Sequence, residues 1–112
     1  MKLLTAIIRP HALDDVRQAL QEIGVTGLTL TEVRGYGRQG GHTELYRGAE
    51  YKTEFNPKVK IDIALTDEMT SSVIDVISSV AQSSRVGDGK IFVINLEQVV
   101  RIRTAEVGEQ AL

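Results

Sequence analysis

The chain begins with a short apolar run, which is followed by apolar residues at helical spacing. Residues 3–8, LLTAII, form a short apolar run that ends at Arg9-Pro10, which predicts a buried strand that stops at the proline. In residues 12–24 the apolar positions recur at helical spacing, and Gly24 supplies a stop signal. These positions are Leu13, Val16, Leu20 and Ile23. The pattern predicts a strand followed by an amphipathic helix.

The rest of the chain continues this order. Residues 27–37 and 58–65 alternate apolar and polar positions with a period of two, which predicts two strands that each have one covered face. Residues 67–82 show a second helical stripe, with Thr66 or Asp67 as the N-cap. Residues 90–96, KIFVINL, predict a fourth strand.

The predicted order is β-α-β-β-α-β, which is typical of the ferredoxin-like α+β fold with a four-stranded antiparallel sheet. Both helices are expected to cover one face of that sheet. The first and last strands are apolar on both sides, so we expect an oligomer to cover the opposite face. Residues 99–104, VVRIRT, predict a short further strand, and residues 105–112 predict a frayed tail.

The connection between the second and third strands is unusually long for this fold. Residues 37–56 separate strands that should form a hairpin, whereas hairpin loops usually contain about 2–5 residues. This segment carries aromatic residues among charged ones, which indicates a contact surface. It also opens with a formal G-x-G-x-x-G match at Gly35, Gly37 and Gly40. No helical pattern follows the match, so it does not indicate a Rossmann dinucleotide site.

Composition narrows the possible classes of function. A chain of 112 residues that is 42% hydrophobic predicts one domain, residues 1–112. Its net charge of −2 lacks the basic excess of a nucleic-acid-binding protein. The absence of cysteine excludes disulfides and thiol chemistry, and the apolar run at the N-terminus is too short for a signal or a membrane span. We therefore expect a cytoplasmic protein that does not insert into membranes.

Two short segments could contact phosphate. In GDGK, residues 87–90, glycines expose backbone N–H groups and Lys90 adds a positive charge, although such a segment is more often a plain turn. Arg101 and Arg103 would share one face of an extended segment and could hold phosphate oxygens, or they could protect a sheet edge. Carboxylates lie at helix starts and neither histidine has a metal partner at short spacing, so the sequence predicts no catalytic residues.

Several long segments in this order resemble the PII nitrogen-regulatory signal-transduction proteins: TEVRGYGRQGGHTELYRGAEY, PKVKIDI, VGDGKIFV and VVRIRT. The resemblance implies a homotrimer that binds ATP or ADP between subunits and, with ATP and Mg²⁺, also binds 2-oxoglutarate. It identifies residues 37–56 as the T-loop, residues 82–90 as the B-loop and residues 101–112 as the C-terminal segment. The implied function is non-enzymatic regulation of an ammonium transporter and of enzymes or regulators of nitrogen assimilation. Docking on such a channel would bring a cytoplasmic protein to the membrane.

The resemblance also assigns residues to ligands. The implied nucleotide-binding residues are Gly35, Gly37, Arg38, Gln39, Gly87, Asp88, Gly89 and Lys90, with Arg101 and Arg103 from the neighbouring chain. The implied 2-oxoglutarate ligands are Gln39, Lys58, Arg9 and the backbone N–H groups of Gly37 and Gly41. The side chain of Gln39 would also hold Mg²⁺.

Two T-loop residues match positions that act on other proteins. Tyr51 matches the tyrosine that a nucleotidyltransferase uridylylates or adenylylates in relatives, and Arg47 matches a residue that enters a partner's pore or cleft.

The sequence departs from the family pattern at three places. Gly40 stands where the family usually has Lys, Ser83-Ser84-Arg85 replaces Thr-Gly-Lys, and Ala105 replaces a Gly. Two alternatives use the same fold: an acylphosphatase-type enzyme and an RNA-binding domain. The first lacks its motif, and the second lacks enough strand aromatics.

Overall fold

The computed structural model describes residues 1–37, 43–46, 49–52 and 55–112, with the backbone alone for 43–46 and 49–52. Within these residues the strands and helices occur in the following order: β1 (Lys2–Ile8), α1 (Leu13–Glu22), β2 (Thr29–Gly35), β3 (Thr43–Tyr46), β4 (Ala49–Lys52), β5 (Asn56–Leu65), α2 (Asp67–Ala81) and β6 (Gly89–Asn95). Short 3₁₀ turns at Pro10–Ala12 and Gly108–Ala111 complete the order.

Four of these strands form the main sheet, in the spatial order β2-β5-β1-β6. Every neighbouring pair in it is antiparallel, with β1 and β5 in the centre and β2 and β6 at the edges. With α1 and α2 as the two connections, this arrangement confirms the predicted ferredoxin-like fold.

The core lies between the two central strands and the two helices. Alternate residues of β1 and β5 are buried, and they meet Val16 and Leu20 of α1 and Val73 and Ile77 of α2. The buried strand residues are Leu4, Ala6, Ile8, Val59, Ile61, Ile63 and Leu65. The period of two therefore correctly predicted the covered face of β5.

Both helices begin and end near the predicted residues. Pro10 starts a 3₁₀ turn ahead of α1, and the chain leaves that helix through Gly24, whose φ of +96° favours glycine. Thr66 is the extended N-cap of α2, but its side chain makes no capping hydrogen bond. Instead, its carbonyl accepts a 3.0 Å bond from Thr70 Oγ1.

The two edge strands are poorly covered in a single chain. Leu30 of β2 is 45% exposed, so the prediction of a covered face was wrong for this strand as it stands alone. On β6, Phe92 and Ile94 are 52% and 57% exposed, and both lie on the sheet face opposite the helices. The helices pack over the central strands, which leaves the margins and the far face of the sheet open.

The long connection contains a hairpin that the sequence analysis did not predict. β3 and β4 pair antiparallel, from Thr43 opposite Lys52 to Tyr46 opposite Ala49, as a separate two-stranded sheet. A strand therefore follows the glycine-rich start of this connection, where a Rossmann site would need a helix.

The C-terminal segment also differs from the prediction. Residues 102–104 form a turn rather than a continuous strand, and Val100 and Val107 make an isolated antiparallel bridge on either side of it. Ala105 N–H donates to the Arg101 carbonyl at 2.8 Å, and Ala105 adopts a left-handed φ of +60°, which reverses the chain. The tail is not frayed, because Arg101 Nη2 donates to the Leu112 carbonyl at 2.8 Å.

Candidate functional site

A cleft of about 720 Å³ lies where β2 ends, β5 begins and the B-loop leads into β6. The antiparallel registers bring these distant segments together, since Lys90 lies opposite Ile7 and Gly35 lies opposite Asn56. Seven of the residues predicted to bind nucleotide or 2-oxoglutarate line this one cleft: Gly35, Gly37, Lys58, Gly87, Asp88, Gly89 and Lys90.

Other lining residues were missed by the sequence analysis. Ile7 and Phe92 line the cleft from the sheet face opposite the helices, and Tyr36 and Asn56 line it from the base of the T-loop. The alternation along β1 could have indicated Ile7, because it lies between the buried Ala6 and Ile8. The contact between the rings of Tyr36 and Phe55, whose centroids are 5.7 Å apart, depends on strand register and carries no comparable sequence signal.

Glycine is required at two points of the B-loop. Gly87 has a φ of +97° and Gly89 a φ of +124°, both in the region that side chains disfavour. At Gly89 a Cβ would also lie 1.8 Å from the carbonyl oxygen of Ile7. Gly89 can therefore pass close to β1 only because it lacks a side chain, and Gly87 is favoured by its φ angle alone.

Lys58 is buried at the floor of the cleft. Its Nζ donates a 2.6 Å hydrogen bond to the Gly87 carbonyl, which ties the start of β5 to the B-loop. Burial lowers the pKa of Lys58, and the charge of Arg9 lowers it further, while Asp88 acts in the opposite direction. Gly35 packs on the same side chain, since a Cβ on it would lie 3.3 Å from Lys58 Cγ.

Asp88 of the B-loop forms an ion pair with Arg9, which follows the end of β1. Arg9 Nε lies 3.5 Å from Asp88 Oδ1, and Arg9 Nη2 donates to the Val86 carbonyl at 2.5 Å. The Asp88 carboxylate also accepts hydrogen bonds from Ser83 N–H, at 2.7 Å, and from Ser83 Oγ. These bonds from Ser83, together with the charge of Arg9, lower the pKa of Asp88. Arg9 itself is not among the residues that line the cleft.

The two C-terminal arginines lie apart from the cleft of their own chain. Arg101 is held by Glu106, at 3.7 Å, and by the Leu112 carbonyl, whereas Arg103 is exposed on the turn. The single chain thus does not bring them to the GDGK segment, and their contact with a neighbouring chain's nucleotide stays a prediction.

Several predicted site residues lie outside the described residues. These are Arg38, Gln39, Gly41 and Arg47, together with the substituted position Gly40. Tyr51 belongs to β4, where only the backbone is described.

The described part of the cleft suits an anion. Lys58, Lys90 and Arg85 line it, while the one lining carboxylate, Asp88, is paired with Arg9.

In residues 1–37, 43–46, 49–52 and 55–112 there is no cluster of three or more His, Cys, Asp or Glu that could hold a metal ion. In that same part of the chain, none of the helices has the length and apolar character needed to cross a membrane.

Comparison with known proteins identifies the family. The family model described as Nitrogen regulatory protein P-II matches residues 1–106. The chain is 59% identical to Nitrogen regulatory protein GlnK of Escherichia coli K12, over the full length of both chains. The chain belongs to the P-II family. Over the full length of both chains it is also 57% identical to Nitrogen regulatory protein P-II of Rhizobium meliloti and 55% identical to Nitrogen regulatory protein P-II 1 of E. coli K12.

Membership in the P-II family supports a nitrogen-regulatory signalling role and not the acylphosphatase-type alternative. The resemblance read from the sequence is thus confirmed at the level of family and of general role. P-II proteins are regulatory proteins, which agrees with the prediction of a signalling rather than a catalytic chain.

Proposed function

We propose that this P-II protein is a non-enzymatic sensor of ATP or ADP and of 2-oxoglutarate that regulates nitrogen assimilation through its T-loop. The observation that carries the proposal is one cleft that joins the glycine-rich B-loop to the base of the T-loop. Two lysines line this cleft, Lys90 and the buried Lys58. A polyanionic ligand in this cleft would touch the B-loop and the T-loop base at once. Its occupancy could therefore change the T-loop.

Nucleotide phosphates fit the chemistry of the B-loop side of the cleft. Glycines keep the backbone accessible there, and Lys90 supplies a point charge. Gly35, Gly37 and Arg38 would border the nucleotide at the T-loop base. Arg101 and Arg103 would reach the phosphates from a neighbouring chain, since neither lines the cleft of its own chain.

The binding of 2-oxoglutarate would use the T-loop side of the cleft. Lys58 would pair with one carboxylate, and the backbone N–H groups of Gly37 and Gly41 would assist. Gln39 would hold Mg²⁺ together with the phosphates and 2-oxoglutarate, since an amide oxygen is a suitable ligand for this hard cation. Arg9 would add positive charge behind the loop.

A homotrimer would complete the site. The exposed apolar residues on the far sheet face, Phe92 and Ile94, support burial against other copies, because monomeric proteins rarely expose such patches. The phosphate-binding arginines would also need a second chain. The domain would then be a single unit, residues 1–112, whose clefts lie between subunits.

The T-loop would carry the signal to partners. ATP with 2-oxoglutarate would favour one arrangement and ADP another, each through its different affinity for the two states. The partners would be an ammonium transporter, contacted through Arg47, and enzymes or regulators of nitrogen metabolism. A nucleotidyltransferase could modify Tyr51. The protein would act in the cytoplasm and reach the membrane only through the channel.

Calorimetry on the purified protein tests the sensor. We expect ATP and ADP to bind, and 2-oxoglutarate to bind strongly only when ATP and Mg²⁺ are present. Failure to bind either nucleotide, or 2-oxoglutarate binding that is independent of ATP and Mg²⁺, would contradict the proposal. Sustained hydrolysis of an acyl phosphate would support the enzymatic alternative instead.

A further inference from the structure

The B-loop contains one non-glycine residue, Ser84, in a backbone conformation that side chains disfavour. Three of its residues have left-handed φ angles: Ser84 at +61°, Gly87 at +97° and Gly89 at +124°. A non-glycine residue such as Ser84 is destabilised in this region by about 1–2 kcal/mol. The loop therefore needs support from other parts of the fold to keep this shape.

Two cations supply that support by holding consecutive carbonyl groups. Arg9 Nη2 donates to the Val86 carbonyl at 2.5 Å, and Lys58 Nζ donates to the Gly87 carbonyl at 2.6 Å. A peptide unit is planar and trans, so fixing a carbonyl also fixes the N–H of the next residue on the opposite side. The contact with Val86 thus sets the direction of the Gly87 N–H, one of the groups available to an anion in the cleft.

Asp88 is held by the loop itself. Its carboxylate accepts from Ser83 N–H at 2.7 Å and from Ser83 Oγ, and it lies against Arg9 Nε at 3.5 Å. Both partners of the ion pair are about four-fifths buried, with side chains 19% and 21% exposed. An unpaired carboxylate beside phosphate would repel it, whereas this one closes the loop across Ser83 and is neutralised by Arg9.

We propose that Arg9 is a positioning residue that shapes the B-loop for phosphate through the Val86 carbonyl and the Asp88 carboxylate. The nucleotide part of this inference rests on the proposed function, but the ordering of the loop does not. Arg9 comes from the end of β1, about 80 residues from the loop in sequence, so the pairing also couples the loop to the central sheet. In this role Asp88 supports the loop and is not itself a phosphate ligand.

Hydrogen exchange on the nucleotide-free protein tests the ordering directly. In Arg9→Gln we expect the amides of residues 83–90 to exchange about tenfold faster, the effect of losing one charge-assisted hydrogen bond. Arg17→Gln is the matched control, because it removes the same charge from the exposed face of α1. Unchanged exchange in a folded Arg9→Gln protein would overturn the proposal, whatever the protein binds.

ATP affinity of Arg9→Gln, Asp88→Asn and the double variant then separates positioning from simple charge. Positioning predicts that each single variant loses about tenfold in affinity and that the double variant loses little more, because both changes open the same pair. A direct charge effect predicts the opposite sign for Asp88→Asn, since removing a carboxylate would strengthen phosphate binding. That opposite sign would overturn the proposal.

Arg9→Lys provides the final comparison. Lysine keeps the charge but cannot span both the Val86 carbonyl and Asp88 with a planar fork, so we expect it to lose most of the affinity that Arg9→Gln loses. Full rescue by lysine would show that charge alone matters and would contradict the proposal. If the wild-type protein bound no ATP, the proposed function would fail while the exchange experiment would still decide the role of Arg9.

Discussion

The carbonyl oxygen of Ile7 occupies the space in which a side chain on Gly89 would begin. A Cβ on Gly89 would lie 1.8 Å from that oxygen, and the φ of Gly89 is +124°. Gly89 is also the first residue of β6, paired with Ile8, and it lines the cleft. The sheet edge and the proposed nucleotide site thus meet at one glycine.

Gly89→Ala should therefore disturb both stability and binding. We expect a loss of about 1–3 kcal/mol in the free energy of unfolding from the disfavoured backbone conformation alone, together with weaker ATP binding. Urea denaturation at a fixed protein concentration measures the first effect and calorimetry the second. Gly27→Ala is the control, since nothing lies within 4 Å of the Cβ it would add. Equal stabilities of the two variants would contradict the prediction.

Two departures from the family pattern fall at left-handed positions. Ser84 and Ala105, noted in the sequence where glycine is usual, have φ angles of +61° and +60° in the structure. Ala105→Gly should raise the free energy of unfolding by up to about 1 kcal/mol, because glycine has no Cβ penalty there. Denaturation curves measure the gain. Ala19→Gly, within α1, should instead destabilise by about 1 kcal/mol, and a loss at both positions would argue against the left-handed strain.

These examples show what the sequence could and could not predict. The alternation of Val59, Ile61 and Ile63 was enough to predict β5 and its covered face, since burial follows the period of the strand. The family motifs indicated Gly87 and Lys90, and both line the cleft, while their contact with nucleotide stays a prediction. The ion pair between Arg9 and Asp88 was not predictable, because it depends on how the end of β1 passes behind the B-loop.

The turn at residues 102–104 was also not predictable from local sequence. VVRIRT has the composition of a strand, and local propensity alone favours an extended chain. The structure instead reverses at Ala105, supported by the bond from its N–H to the Arg101 carbonyl and by the hold of Arg101 on Leu112. Contacts with the tail outweigh the local preference for a strand. These contacts involve residues outside VVRIRT, so the pattern of that segment does not indicate them.

The ion pair of Asp88 predicts a specific dependence of stability on pH. Bonds from Ser83, with the charge of Arg9, lower the pKa of Asp88 in the folded state, so its contribution to stability is present above the unfolded pKa of about 3.9. That contribution is lost as the pH falls through the lower folded pKa. Asp88→Asn should accordingly be less stable than wild type at pH 7, with the difference shrinking below about pH 4. Denaturation across pH 3–7 checks this, and a constant difference would contradict it.

Lys58 should affect the binding of 2-oxoglutarate more than the binding of ATP. Lys58→Met removes the buried ammonium that is proposed to meet a 2-oxoglutarate carboxylate, so we expect at least about a tenfold loss of 2-oxoglutarate affinity in the presence of ATP and Mg²⁺. The loss of the hydrogen bond from Lys58 to the Gly87 carbonyl should weaken ATP binding less, because Arg9 still holds the neighbouring Val86 carbonyl. Lys2→Met, at an exposed pair with Asn95, is the control. Calorimetry with each ligand separates the two effects, and undiminished 2-oxoglutarate binding would rule out this role.

The uncovered sheet face predicts how assembly can be broken. Ile94 is 57% exposed on the face opposite the helices, in the edge strand β6, whose sheet neighbour in the described part of the chain is β1. Ile94→Glu would place a charge in the proposed subunit interface, where its desolvation is unfavourable, and should shift the protein from trimer to monomer. Light scattering after size-exclusion chromatography measures the mass, and circular dichroism checks that the chain stays folded. Ile23→Glu, on the helical side at the end of α1, should leave the mass unchanged. A trimer that persists in folded Ile94→Glu would show that this part of the sheet face does not form the interface.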